Sequence, residues 1–246
     1  VVAIALGAVA ACGGSDPVKS PPQSLGQVVD IPVPPSIANI PLTTAAGTTT
    51  TLAAYRGKQV MIADFLTLCT DICPMISANT AGVARTLAAD GQSGKTALLE
   101  ITVDPRRDVP ARLHAYQRLF GGALPNWTLL RASPADTAKL WKFFGVSYER
   151  EKEGKPASVD WLTHKPLRYD VAHSDVLIFL DANSHERFVV NADPNVAGKL
   201  PPSQLVRFLN PDGLKSLYHP EPVADWTVRQ GMQVFSWLTN QHLAGS

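Results

Sequence analysis

One stretch of this sequence concentrates residue types that could do chemistry. FLTLCTDICPMIS, residues 65–77, carries two of the three cysteines, Cys69 and Cys73, with three residues between them and Pro74 directly after. Two sulfurs so placed can close as a disulfide, share one soft metal ion, or lie reduced in a core. If the segment is helical, the two Cβ atoms sit about 5–6 Å apart. A bridge needs them nearer about 4 Å, so a modest local adjustment closes it. The same separation lets two thiolates clasp a single Cu(I), Zn or iron–sulfur centre, the groups that thiolates select. Structural zinc wants four ligands, and two cysteines with one histidine fall short. A low-coordinate Cu(I) site has no such requirement, so the donor count favours copper(I).

The elements that must position these sulfurs are legible around them. QVMIADFL (59–66) is a short apolar run and predicts a buried strand. Pro74 suits a first helical position, and Met75, Ile76, Val83 and Leu87 form a partial apolar stripe. Cys69 therefore lies beyond a strand and Cys73 at a helix start, where the macrodipole and free N–H groups favour thiolate. Asp71 opposes this if it points inward. Further along, TALLEITV (96–103) predicts a second buried strand, DPRRD (104–108) a turn, and Asp108 the N-cap of a helix over 109–120. WTLLRA (127–132) predicts a strand, and Ser133 the cap of a helix that ends near Gly145. The charged segment 148–166, broken by Gly and Pro, predicts a loop. LRYDVAHS (167–174) and DVLIFLD (175–181) predict strands, ERFVVNAD (186–193) a partner strand across a turn, and PPSQLVRFLN (201–210) a closing helix. Before them all, the Thr-rich segment 37–58 with Gly47 predicts a β-hairpin. This order implies an α/β domain with helices covering both faces of a mixed sheet. Among six histidines, His114 falls in a charged helix, His242 near the C-terminus, and His164, His185 and His219 in loop or turn text. His173 stands out on a strand-to-strand corner. A lone histidine there is more often a core or turn residue, so its role is open on this reading.

Length and charge bound the rest. A chain of 246 residues has room for one large domain or two small ones. Lysine plus arginine number 22 against 21 acidic residues, which argues against a strongly basic nucleic-acid binder. No apolar run reaches the ~18 residues of a transmembrane helix. Residues 1–11, VVAIALGAVAA, resemble the remainder of a secretory signal peptide, and VAAC followed by glycines resembles a bacterial lipobox. Cleavage before Cys12 would free its thiol for lipid attachment. Residues 12–36, rich in Pro, Ser, Gly and Gln, then predict a lipid-anchored flexible tether. Outside the inner membrane the compartment is oxidising, and a dithiol there must be kept reduced or be working. Residues 211–246 predict a C-terminal helical extension in which Trp226, Met232, Phe235 and Leu238 line one side. That side either docks on the domain or meets a partner.

Taken in order, FLTLCTDICP after GKQVMIADF, then ITVDPRRDVPARLHAY, then YDVAHSDVLIFLD resemble the Sco/SenC family over roughly residues 37–210. These are membrane-tethered copper proteins that assist cytochrome c oxidase assembly. The resemblance implies a thioredoxin-like three-layer α/β sandwich, here with an N-terminal β-hairpin and the C-terminal extension. It implies that Cys69, Cys73 and His173 bind copper, as Cu(I) with Cu(II) left open, and that the two sulfurs also cycle between dithiol and disulfide. It places Asp104 near the site, where a plain turn-forming carboxylate is the alternative. The implied partners are the copper-binding subunit of cytochrome c oxidase or another envelope cuproprotein, and a thiol reductant. The implied location is the periplasmic face of the bacterial envelope, with the membrane reached through the lipid on Cys12. Two departures stand out: TLCTDIC lacks the aromatic and polar residues common before the first cysteine in relatives, and Ala172 replaces a frequent acidic residue before the histidine. Three other readings use the same sulfurs. They are a metal-free thiol–disulfide oxidoreductase, a peroxide reductase relying on Thr67 or Thr70 but lacking a well-placed Arg, and a binding protein with a purely structural disulfide.

Overall fold

The chain joins its sheet earlier than composition suggests. In the computed structural model of the protein, which describes residues 17–220 and 225–246, residues expected in the tether form strand β1 (Gln27–Pro32). It pairs antiparallel with a strand more than 150 positions later, Gln27 opposite Val189. Val28, Val29 and Ile31 supply the β-branched residues that strands favour, and Pro32 stands at the end of an edge strand, where a missing donor is tolerated. The buried side chains Leu25 and Val33 flank it. Prolines and serines on either side mask this strand in the composition. Cys12 lies outside the described residues, as does the signal-like segment before it.

After a single helical turn, α1 (Pro35–Ala38), the expected hairpin forms from β2 (Leu42–Thr44) and β3 (Thr49–Thr50), turning at Gly47 with φ 81°. The two central strands follow: β4 (Gln59–Phe65), then α2 (Cys73–Ala89), then β5 (Thr96–Thr102). Next come α3 (Pro110–Leu119), β6 (Trp127–Arg131) and α4 (Pro134–Phe143). Ser133 caps α4 by accepting from the N–H of Asp136, as its position predicts. β4, β5 and β6 run parallel. Every position of β5 is buried, so both faces of the sheet are covered there, as parallel strands require.

The segment expected as a loop at 148–166 begins instead as strand β7 (Tyr148–Lys152), paired antiparallel with β8 (Tyr169–His173) in a separate two-stranded ribbon. Its sequence YEREK carries no buried face; four of its five residues are exposed. Its partner, rather than an apolar alternation, makes it a strand. β9 (Leu177–Leu180) and β10 (His185–Val190) return to the main sheet, which is ordered β1-β10-β9-β4-β5-β6-β2-β3. The chain closes through β11 (Asp193–Pro194), α5 (Ser203–Val206), α6 (Pro211–Tyr218), β12 (Asp225–Trp226) and α7 (Val228–Thr239). α5 is one turn rather than the helix expected over 201–210, where Pro201 and Pro202 delay the start. α7 opens on a capping box made by Thr227 and Gln230, and buries Met232, Val234 and Phe235 completely. Gly82 of α2 faces Val228 and Gly231 of α7 faces Val83, so each helix lets the other approach closely. Among the described residues no helix is long and apolar enough to cross a membrane.

Candidate metal and dithiol site

The site lies past the C-terminal end of β4. The chain leaving that strand is pinned at Thr67. Its N–H and hydroxyl both donate to Asp108, at 3.1 and 2.5 Å, and the Thr102 hydroxyl donates to the same carboxylate. Asp108 is therefore not the helix cap expected from its position. Val109 occupies that place with no side-chain cap, because Asp108 is drawn inward by the hydroxyls of β5 and of the loop. Burial pushes its carboxyl up to about 6 against those hydrogen bonds. From the long loop after β7, Trp161 Nε1 donates to the Thr67 carbonyl at 2.7 Å.

From this anchor the chain turns over Leu68–Ile72 and enters α2 at Cys73. Cys69 Sγ accepts from the backbone N–H groups of Asp71 and Cys73, each at 3.4 Å. Both cysteines are reduced; Cys69 is partly exposed and Cys73 fully buried. His173, at the end of β8 and a hundred positions away, brings Nε2 to 3.4 Å from Cys73 Sγ. The two sulfurs and a ring nitrogen lie within 4.8 Å of one another. Behind the imidazole, Nδ1 sits 2.6 Å from Asp64 Oδ2. A carboxylate only accepts, so Nδ1 carries the proton and Nε2 faces the sulfurs. The other Asp64 oxygen accepts the N–H of Val176 at 2.9 Å, which fixes the carboxylate in turn.

The electrostatics follow from this packing. A hydrogen bond from Cys73 is the largest influence on the Cys69 thiol; with help from His173 it overcomes burial and lowers the thiol to about 5. Burial pushes Cys73 the other way, well above the ordinary thiol, and the neighbouring Cys69 sulfur adds to it. Burial alone would discharge His173, but the Asp64 carboxylate and the Cys69 sulfur outweigh it and hold the imidazole well above its usual range. The two sulfurs are thus unequal, with Cys69 the more acidic of the pair and the imidazole backed by a carboxylate. A second group of donors, Asp64, His173 and Asp175, shares the same histidine. Asp64 is already committed to His173 and Val176, which leaves the sulfur-containing set as the available one.

Asp104, expected near the site, is not part of either donor group. It is paired with Arg107 and accepts from the Tyr169 hydroxyl at 3.1 Å. Arg107 in turn donates to the Tyr169 carbonyl at 2.7 Å and lies over its ring. The aspartate ties the turn after β5 to β8, the strand that carries His173. Asp64 was missed by sequence reasoning, although a visible signal existed: one carboxylate inside the otherwise apolar QVMIADFL. A charge buried in a central strand needs a partner, and an imidazole meets that need. No arginine is among the described residues lining the cavity in front of the sulfurs.

Comparison with known proteins places the fold and the family. The fold matches the structure of Bradyrhizobium japonicum ScoI with copper bound at 25% identity, covering 69% of this chain and 97% of that one, with a TM-score of 0.50. Arabidopsis thaliana ScoI with copper bound matches at 21% identity over 70% and 94%, TM-score 0.51. A SCO1/SenC family lipoprotein from Bacillus anthracis matches at 22% over 68% and 88%, TM-score 0.50. These likenesses establish the mixed-sheet thioredoxin-like fold. A search of curated proteins found no match. The SCO1/SenC family pattern matches residues 37–197, more than half of the chain and all of the segment that holds Cys69, Cys73, Asp64 and His173. The chain belongs to the SCO1/SenC family.

Proposed function

We propose that this protein handles copper, holding it as Cu(I) on Cys69, Cys73 and His173 and passing it to a copper site of a respiratory oxidase or to another envelope cuproprotein. One observation carries the reading: two sulfurs and one imidazole nitrogen converge from segments a hundred positions apart, with a buried carboxylate braced behind the imidazole. Soft sulfur donors select Cu(I). The Asp64 contact fixes the ring orientation and the tautomer that leaves Nε2 toward the sulfurs, the usual arrangement behind a metal-ligating histidine. Uptake requires Cys73 to give up its proton and the imidazole its second one, so loading releases protons. A recipient with better-placed ligands can take the ion by stepwise ligand exchange. The copper-bound Bradyrhizobium ScoI, at 25% identity, supports the assignment. Lipid on Cys12 would hold the domain at the periplasmic face of the envelope. Titration of Cu(I) into the reduced protein against a chromophoric chelator tests the core of the reading. One bound equivalent is expected, lost in Cys69→Ser and Cys73→Ser. A reduced protein that ignores Cu(I) overturns it.

The asymmetry of the sulfurs favours a second reading, a reductase that keeps the cysteines of the same recipient reduced. An accessible low-pKa thiol beside a buried high-pKa one suits attack and resolution. The Cys69 thiolate attacks a partner disulfide, forms a mixed disulfide and releases one partner thiolate. Cys73, once deprotonated, attacks the Cys69 sulfur and releases the second partner thiolate. Two electrons pass to the partner, the Cys69–Cys73 disulfide remains, and a thiol reductant must restore it. His173→Ala separates the roles: reduction of a disulfide substrate that survives while Cu(I) affinity falls supports both activities in one site.

A further inference from the structure

The family match ends at residue 197, yet the segment beyond it touches the cysteine loop directly. The N–H of Asn210 donates to the Thr70 carbonyl at 2.7 Å, while the Asn210 side chain caps α6 by accepting the N–H of Gly213, also at 2.7 Å. Gly213 presses its backbone against the loop. A Cβ there would fall 2.8 Å from the Thr70 oxygen and 2.9 Å from Asp71 Cα, both backbone atoms that cannot swing aside. Glycine at this place is not required by φ, since no positive φ occurs at Gly213. Close approach alone explains it. Asn210, Asp212 and Ser216 line a cavity of about 360 Å³ together with Cys69 and His173.

We infer that the start of the C-terminal extension, Asn210 to Gly213, is a positioning element for the dithiol and metal site. It holds the Thr70–Asp71 turn between the two cysteines against a helix, so that Cys69 stays opposite His173. The loop is thereby gripped from both ends: Asp108 and Trp161 hold Thr67, and α6 holds Thr70. Without the second grip the turn between the sulfurs is free to relax, and the distance between the donors is no longer set. α6 also lines the cavity that a recipient has to enter. The inference deepens the copper reading and rests on it for its metal readout. It has a second, metal-free readout in the reduction potential of the Cys69–Cys73 pair.

The test uses the full chain with Gly213→Val, which forces α6 off the loop, and Asn210→Ala, which removes the side-chain cap that seats α6 but keeps the backbone N–H to Thr70. Leu214→Ala, at an exposed position on the same helix, is the control. Folding is checked by circular dichroism. Transfer of Cu(I) from each variant to a competing chelator should be roughly tenfold faster than from wild type, the lower end of what losing a supporting contact around a metal costs. The effect should be smaller in Asn210→Ala and absent in Leu214→Ala. The potential of the pair, measured in a glutathione redox buffer, should shift in the same order. If Gly213→Val does not fold, Gly213→Ala, whose single Cβ meets the same Thr70 and Asp71 backbone atoms, decides the matter. Unchanged copper transfer and unchanged potential in a folded variant overturn the inference. A wild-type protein that takes no Cu(I) sinks the copper reading instead, and the potentials still decide whether α6 positions the sulfurs.

Discussion

Two aspartate–imidazole pairs in this molecule have nearly the same contact distance and very different surroundings. His173 Nδ1 meets Asp64 at 2.6 Å, with side chains 6% and 0% exposed. His185 Nδ1 meets Asp30 at 2.7 Å, with side chains 40% and 67% exposed. The first stands between the central strand β4 and the ribbon strand β8; the second joins the edge strand β1 to β10. Distance does not separate them, but water does. At the edge, solvent competes for both partners and salt screens them, so the pair has little hold on the ring. In the interior no solvent can replace the carboxylate. Asp64 therefore dictates the tautomer of His173, and losing either partner strands the other. An ion pair becomes part of a site when its surroundings leave it no alternative.

The sharpest way to break this comparison is His173→Ala. Removing a donor should cost more Cu(I) affinity than removing its support, hence more than about 100-fold, measured by chelator competition. An affinity equal to wild type would remove histidine from the site. Next comes Asp64→Asn, which keeps size but not charge. Cu(I) affinity should fall roughly 10–100-fold with the stoichiometry unchanged, as for other supporting partners of metal ligands. An unaltered affinity would mean that burial of the Asp64 pair confers nothing on the site.

Glu100 sharpens the contrast from another direction. It is fully buried in β5, accepts from the Ser77 hydroxyl at 2.9 Å and has Thr80 and Trp127 beside it, with no cation paired to it among the described residues. Burial raises it from 4.5 to about 8. The folded protein holds this proton where the unfolded chain has lost it. The contribution to stability is therefore full below pH 4.5 and is lost as pH rises toward 8. Glu100→Gln cannot ionise, so its unfolding midpoint should gain on wild type between about pH 5 and about pH 9. Parallel midpoints across that range would show that the buried acid stays charged. The smallest effect belongs to the edge pair. His185→Ala and Asp30→Asn should leave Cu(I) affinity unchanged and produce no measurable shift in thermal unfolding. A clear loss in either would erase the distinction drawn from exposure.

Some of this is legible in the sequence alone. Cys69 and Cys73, the apolar strand before them, the helix that starts at the second cysteine and the Ser133 cap all depend on neighbours a few positions away. Caps, turns and periodicity act over that range, and so local sequence determined the reactive pair and most elements of the sheet. Only family resemblance marks His173 as a ligand, because no local pattern distinguishes a ligand from a turn histidine. Asp64 was visible as an isolated charge in an apolar strand, but its partner was not. The tertiary structure decided what arrives from far away. It brought His173 to Cys73 across a hundred positions, drew Asp108 from its cap to Thr67, gave Tyr148–Lys152 a partner in β8, enlisted Gln27–Pro32 as an edge strand, and laid α6 on the cysteine loop. The physical reason is common to all five. Backbone pairing and the need to satisfy a buried polar group depend on whichever distant segment is packed alongside, and that segment leaves no mark on the local sequence.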